Sequence, residues 1–186
     1  MMTDLIYNHV ERLGELLRVD ARQCGAEFGL LPVQLEALHY LSICNRYSDT
    51  PMAVSEYLGQ TKGTVSQTLK VLEKKALLQK VADTADKRVT HLRVTEAGQQ
   101  LLQQLIPSPM FAKACAHLSV AEQQQVSAAL KLLLAGFLSA NQMKSFGICR
   151  SCRHNSETEY GYFCNLLQQP LSAEDAGLIC KEHERQ

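Results

Sequence analysis

Excess charge, long apolar runs and a basic leader are all missing from this chain. Its 186 residues carry 19 Lys/Arg and 19 Asp/Glu, a formal net charge of zero, which argues against a uniformly basic nucleic-acid binder. No stretch is long and apolar enough to span a membrane, so no membrane partner is expected. The opening Met1-Met2-Thr3-Asp4 lacks the basic region and cleavage site of a secretory signal, which predicts a cytoplasmic protein. In that compartment the seven cysteines read as thiols or metal ligands rather than as a disulfide framework. No acid–base constellation accompanies them, so the chain is not read as an enzyme. Its length leaves room for one main core plus a small appendage.

What is present is concentrated between Pro51 and Gly98. A short helix, Met52 to Leu58, is expected to end at Gly59. A second, Lys62 to Lys75, places Val65, Leu69 and Leu72 at i, i+4 and i+7, one apolar stripe for a core. Its opening turn presents Thr61, Lys62, Thr64, Ser66 and Gln67, hydrogen-bonding side chains that reach base edges and phosphates when a helix enters the major groove N-terminus first. After Leu77-Leu78 the pattern turns to β: Leu78–Val81 and Thr90–Val94 are short alternating runs, with Asp83-Thr84-Ala85-Asp86-Lys87-Arg88 as a polar turn between them. The zero net charge also divides unevenly. From Lys62 to Arg93 there are eight Lys/Arg against three acids, whereas residues 1–61 carry four against eight and residues 94–186 seven against eight. A positive field confined to one segment is what backbone phosphate contact requires, and Lys70 and Lys87 join the candidate DNA contacts on that ground.

These residues resemble the MarR family of winged helix-turn-helix transcriptional regulators. The likeness is carried by Val65-Ser66, by Leu72-Glu73-Lys74-Lys75-Ala76-Leu77, by Asp83-x-x-Asp86-x-Arg88 in the wing and by Leu92-x-Val94-Thr95-Glu96-Ala97-Gly98, and it extends more loosely from Thr3 to Asn141. It implies that Arg88 enters the minor groove from the wing tip, held by a neighbouring acid such as Asp86. Two departures stand out: the family's glycine after the recognition helix is Ala76, and its threonine before helix two is Leu31. The resemblance also implies that the first and last helices of two subunits interlock, and that a cysteine near the first helix can serve as a peroxide sensor.

The flanking patterns agree with a dimer. Leu5, Ile6, Val10, Leu13, Leu17 and Cys24 mark one face of a helix over Thr3 to Ala26. Pro32 suits the first turn of the next helix, where Leu35, Leu38 and Leu41 repeat. Thr95 can cap a helix carrying Leu101, Leu102 and Leu105, broken by Pro107 and Pro109, and Ser119-x-x-Glu122 is a capping box for the last one. There Val126, Leu130, Leu133 and Phe137 form a stripe that Leu132, Leu134 and Leu138 widen beyond one core face, as a subunit interface would. Two-fold symmetry would place two recognition helices one DNA turn apart on a near-palindromic operator.

The tail differs in character. Cys149-x-x-Cys152, Cys164 and Cys180 follow one another through a segment of poor apolar periodicity, too small to build its own core. A CxxC pair brings two thiolates to one metal and later ligands close the tetrahedron. A structural zinc ion is the preferred occupant, and an iron–sulfur cluster, with a redox-sensing role, is the alternative. His183 and His154 are reserve ligands. Cys24, Cys44 and Cys115 read as small core hydrophobes, and Tyr7, Tyr40 and Tyr47 as core aromatics that could also line a pocket for a small-molecule or redox effector.

The expected architecture is mainly α with a small β-hairpin wing (α+β), divided into an N-terminal dimerisation helix (1–30), a winged helix-turn-helix (31–98), C-terminal dimerisation helices (99–145) and a cysteine-rich metal-binding tail (146–186). The expected function is sequence-specific DNA binding as a homodimer. A protein-interaction adaptor and a thiol or electron-transfer protein are the readings of another class, and the absence of a βαβ context around the CxxC disfavours the latter.

Overall fold

The computed structural model describes residues 1–84, 86–159 and 161–185. Ala85, part of the expected polar turn, lies outside them, as do Tyr160 and Gln186 in the tail. Seven helices and one hairpin precede the tail: α1 (Met2–Ala26), α2 (Pro32–Ile43), α3 (Pro51–Leu58), α4 (Lys62–Lys74), β1 (Leu78–Ala82), β2 (Thr90–Val94), α5 (Glu96–Leu105), α6 (Pro109–Ala116) and α7 (Val120–Ala140). The architecture is therefore mainly helical with a two-stranded antiparallel wing, as the sequence predicts.

The main core sits under the wing. Leu35, Leu38 and Leu41 of α2, Ala53 and Val54 of α3, Val65, Leu69 and Leu72 of α4, Leu92 of β2 and three leucines of α5 are all buried in it. A leucine buried this fully contributes about 1.5–3 kcal/mol relative to an exposed one. That burial selects the stripe of α4 that faces inward and leaves its polar face to solvent.

Local chemistry sets the boundaries. Pro51 opens α3 behind Thr50, whose side chain accepts from the Ala53 amide, and Gly59 closes it at φ +61°, a left-handed position that glycine adopts without a Cβ penalty. Thr61 caps α4 by accepting from Thr64 N at 3.2 Å. At the end of α4 the Leu77 amide reaches Leu72 O at 3.0 Å and Ala76 is held at φ +56°. This is the Schellman closure that normally uses glycine, so alanine bears strain here. Thr95 ties the wing to α5: its hydroxyl donates to Ala76 O at 2.7 Å and accepts from Gly98 N at 3.1 Å. A Cβ at Gly98 would lie 2.4 Å from Leu77 O, which explains glycine at that crossing. At Leu31 no side chain caps α2. The Gln34 side chain accepts from Leu31 N instead, at 3.0 Å.

The wing pairs Leu78 with Val94 through Ala82 with Thr90, one residue longer in β1 than the alternation indicates. Several aromatic and cysteine expectations need correction. Tyr40 is fully buried but Tyr7 is 62% exposed, because its face of α1 has nothing packed on it within one chain. Tyr47 packs on the tail rather than on the main core. Cys44 is buried in the main core as expected, from the C-cap position of α2. Cys115 lies on the short helix α6 and is half-buried.

The tail forms a second small core on the loop between α2 and α3. A single 3-10 turn (Cys149–Ser151), β3 (Asn155–Thr158), β4 (Gly161–Cys164), β5 (Gln169–Leu171) and α8 (Ala173–Gly177) make it up, with β4 central in a three-stranded antiparallel sheet. It is stitched to the winged helix by backbone hydrogen bonds: Ile179 N to Ile43 O at 3.0 Å and Asn45 N to Ile179 O at 2.9 Å. Phe146 stacks edge-on against Tyr40 and Tyr57, with centroids 6.0 and 5.2 Å away. Arg46 pairs with Asp175 at 3.4 Å. Among the described residues no helix is long and apolar enough to cross a membrane.

Candidate nucleic-acid interface and cysteine cluster

The outer face of α4 carries Thr61, Lys62, Thr64, Ser66, Gln67 and Lys70, all exposed, while Val65, Thr68 and Leu69 face the core. A helix whose polar N-terminal turn projects free of the core is sterically able to enter a groove. Lys87 and Arg88 are exposed at the wing tip. The Arg88 guanidinium forks onto Asp86, Nε to Oδ1 at 2.9 Å and Nη2 to Oδ2 at 2.8 Å. The hydrogen bonds from Arg88 hold the Asp86 carboxyl below its usual range. The arginine side chain is 90% exposed, so the pair aims it rather than anchoring the fold.

Behind the tip lies an arrangement the sequence does not announce. His91 on β2 sits between two acids: Nδ1 is 2.5 Å from Asp49 Oδ1 and Nε2 is 3.1 Å from Asp83 Oδ2. Asp83 also accepts from Asp86 N at 2.7 Å, so the imidazole links the α2–α3 loop to the turn that carries Arg88. Burial pulls the imidazole pKa down, but the hydrogen bonds that it donates to Asp49 and Asp83 outweigh it and the net shift is upward. Asp49 itself moves up, since burial outweighs the lowering by His91.

This predicts a pH effect with a definite sign. A raised histidine pKa contributes stability that is fully present below about pH 6.5 and is lost as pH rises through the folded value. The difference in melting temperature between wild type and His91→Gln should therefore shrink from pH 6 toward about pH 8. Thermal unfolding of both proteins across that range checks it, and a difference that stays constant or grows contradicts the linkage.

Three of the four tail cysteines, Cys149, Cys164 and Cys180, belong to the second core, and Cys152 is buried near them. Cys149 enters on the 3-10 turn, Cys152 follows it, Cys164 ends β4 and Cys180 follows α8; their exposures are 3, 5, 7 and 5%. The Cys149 and Cys180 thiols are hydrogen-bonded, and Cys149 also feels the charges of Cys164 and Cys152. The hydrogen bond from Cys149 pulls the Cys180 thiol down and holds Cys149 up. Three N–H groups point at sulfur: Asn45 Nδ2 at Cys149 (3.7 Å), Leu167 N at Cys164 (3.5 Å) and Glu184 N at Cys152 (3.5 Å). All seven cysteines are free thiols. Among the described residues, however, no three His, Cys, Asp or Glu side chains stand as a preformed coordination set. The reserve histidines lie elsewhere. The His183 ring is held by the Ser145 and Ser151 hydroxyls at 2.5 and 3.1 Å, and His154 Nε2 faces Glu184 at 3.4 Å.

Comparison with known proteins follows this geometry. The solved structure of the S. aureus MepR–DNA complex superposes with a TM-score of 0.57 at 26% identity, covering 70% of this chain and 97% of that one. The fold is the MarR winged-helix fold. A MarR transcriptional regulator from Methanosarcina mazei Go1, 17% identical, shares the fold with a TM-score of 0.63 over 74% of this chain and 99% of its own. The model of the MarR family matches residues 28–89. An uncharacterized HTH-type transcriptional regulator, YwaE of Bacillus subtilis (strain 168), is 35% identical over 54 residues, 29% of this chain. The chain spans about a third (32%) of that relative's length. Together these likenesses show that the chain shares the winged-helix fold of MarR-type proteins.

Proposed function

We propose that the protein is a homodimeric, sequence-specific DNA-binding regulator whose tail holds one zinc ion on Cys149, Cys152, Cys164 and Cys180. The observation that carries the DNA half is the pairing of the polar face of α4 with an exposed, acid-held arginine at the wing tip, on a fold shared with a protein solved in complex with DNA. Dimerisation is supported by α1 and α7: Leu5 is 54% exposed, Phe137 55% and Leu132 76%, and α7 buries no residue within one chain. Surface of that kind is covered in a stable soluble protein.

The donor set suits a zinc ion. Four buried thiols from separate pieces of chain, with N–H groups directed at three of them, match the sulfur-rich chemistry that structural zinc takes. The ion would supply a cross-link for a segment whose own core is small. The same sulfurs would accept an iron–sulfur cluster, and the optical spectrum of anaerobically purified protein separates the two, since only a cluster gives a brown protein that bleaches in air.

A mobility shift on the DNA upstream of its own coding region tests the central reading. A retarded complex that survives unrelated competitor DNA and weakens with salt is expected. No complex at low salt would reject it in favour of a protein-interaction role. Within that assay Arg88→Ala should lower affinity roughly tenfold to a hundredfold if the guanidinium reaches a base edge. Lys62→Ala should act evenly across sequences and reduce the salt slope by about one. Unchanged binding by folded Arg88→Ala protein would remove the wing from the mechanism.

A further inference from the structure

We propose that the cysteine-rich tail is itself part of the DNA-binding surface, with Lys181 supplying a phosphate contact beside the wing. Between α4, the start of α3 and the base of the wing runs a cleft of about 530 Å³ whose lining includes Lys62, Lys80, Arg88, Ser66 and, from the tail, Lys181. Among the described residues, four cations line it and no carboxylate does. Lys181 arrives there because its backbone is fixed: its amide donates to the buried Ser48 Oγ at 2.9 Å, next to the Ile179 hydrogen bonds to residues 43 and 45. Its neighbour in sequence is Cys180, a member of the sulfur cluster. The cations of the cleft have acidic partners outside it, Lys181 with Glu182 at 3.2 Å, Lys80 with Glu73 at 2.6 Å and Arg88 with Asp86. The Lys80 and Arg88 pairs are exposed and weak and exchange readily for a phosphate, and the half-buried Lys181–Glu182 pair joins sequence neighbours whose side chains still reach solvent.

A row of fixed cations between a recognition helix and a wing fits the spaced charges of a nucleic-acid backbone. A neutral or cationic partner gains nothing from it. The tail therefore extends the footprint rather than merely bracing the fold. Once the cysteines let go of one another, Lys181 leaves the cleft and its contact is lost. This inference rests on the DNA-binding reading above.

The test is a salt titration of a labelled mixed-sequence duplex of about three helical turns, read by fluorescence anisotropy, with full-length protein. Phosphate contacts are independent of sequence, so the operator is not needed. Lys181→Ala should weaken binding about 3- to 10-fold near physiological salt and lower the slope of log affinity against log salt by about one. Lys181→Glu should weaken it further, and Lys181→Arg should restore both affinity and slope. Lys113→Ala, on α6 and exposed, serves as a reference cation and should change neither. The substitutions leave the Lys181 backbone bond to Ser48 in place, and an unaltered melting temperature confirms the docked tail. Wild-type affinity and slope in Lys181→Ala, with Lys62→Ala and Arg88→Ala still weakened, would overturn this inference alone. Failure of the wild-type protein to bind any duplex at low salt would overturn the DNA-binding reading and the inference with it.

Discussion

Replacing Leu133 and Phe137 together by glutamate should convert the protein to a monomer and lower operator affinity by roughly 10²- to 10⁴-fold, the scale of avidity lost when two linked binding modules separate. The physical reason lies in where these side chains are. Phe137 is 55% exposed in a single chain, and no residue of α7 is buried there. A charge at Phe137 therefore costs the lone subunit little, and one at the half-buried Leu133 costs it more. In a dimer the same positions would be desolvated, and two carboxylates brought together across a two-fold axis repel each other. Sedimentation at micromolar concentration, alongside far-UV circular dichroism to show that the helices persist, measures the outcome. A double variant that remains dimeric and binds DNA normally would move the interface elsewhere on the molecule.

Changing any one of Cys149, Cys152, Cys164 or Cys180 to serine should abolish stoichiometric zinc and loosen residues 146–186 while leaving the winged helix folded. Structural zinc sites of this size carry an apparent binding free energy of about 10–16 kcal/mol, far more than the few hydrogen bonds that stitch the tail to residues 43–48. Most of the main core lies outside the tail: its buried leucines come from α2, α4, β1, β2, α5 and the loop before α2, with Phe146 and Ile179 of the tail packed only at its edge. Hydrogen exchange should therefore show protection lost in the tail and kept in α4. Binding of duplex DNA should weaken by about the amount seen for Lys181→Ala, roughly 3- to 10-fold, because the lysine departs with its module. Native protein without zinc or iron, with four freely alkylated tail thiols, would reject a metal centre of either kind.

The fold was readable where local pattern and tertiary demand coincide. Val65, Leu69 and Leu72 fall on one stripe and are buried together. The threonine and serine caps open α4, α5 and α7 at the residues that their side-chain chemistry indicates. Arg88 and Asp86 are two residues apart in a turn, so their pairing needed no long-range information. The four tail cysteines stand out in the sequence by their spacing, and all four are buried.

Other features depend on contacts between segments distant in sequence, and no periodicity encodes those. Asp49 reads as an ordinary loop acid until the fold sets it against His91, and His91 as an alternating strand residue until Asp83 faces it from the other side. Lys181 carries no signal in the sequence, because only the docking of residues 179–181 on the α2–α3 loop brings it to the cleft. His183 is the opposite case. Its Cys-x-x-His spacing suggested a ligand, but the ring turns to the Ser145 and Ser151 hydroxyls instead.

The most direct test of the whole account is a nuclease footprint of the native dimer on the DNA upstream of its own coding region. Two protected half-sites related by two-fold symmetry, with centres about one helical turn (~34–36 Å) apart, are the expected result. Protection should extend beside each wing and should contract there in Lys181→Ala protein. A folded dimer with its four tail cysteines intact that leaves this DNA uniformly cleaved at low salt would contradict the claim that these surfaces exist to read DNA.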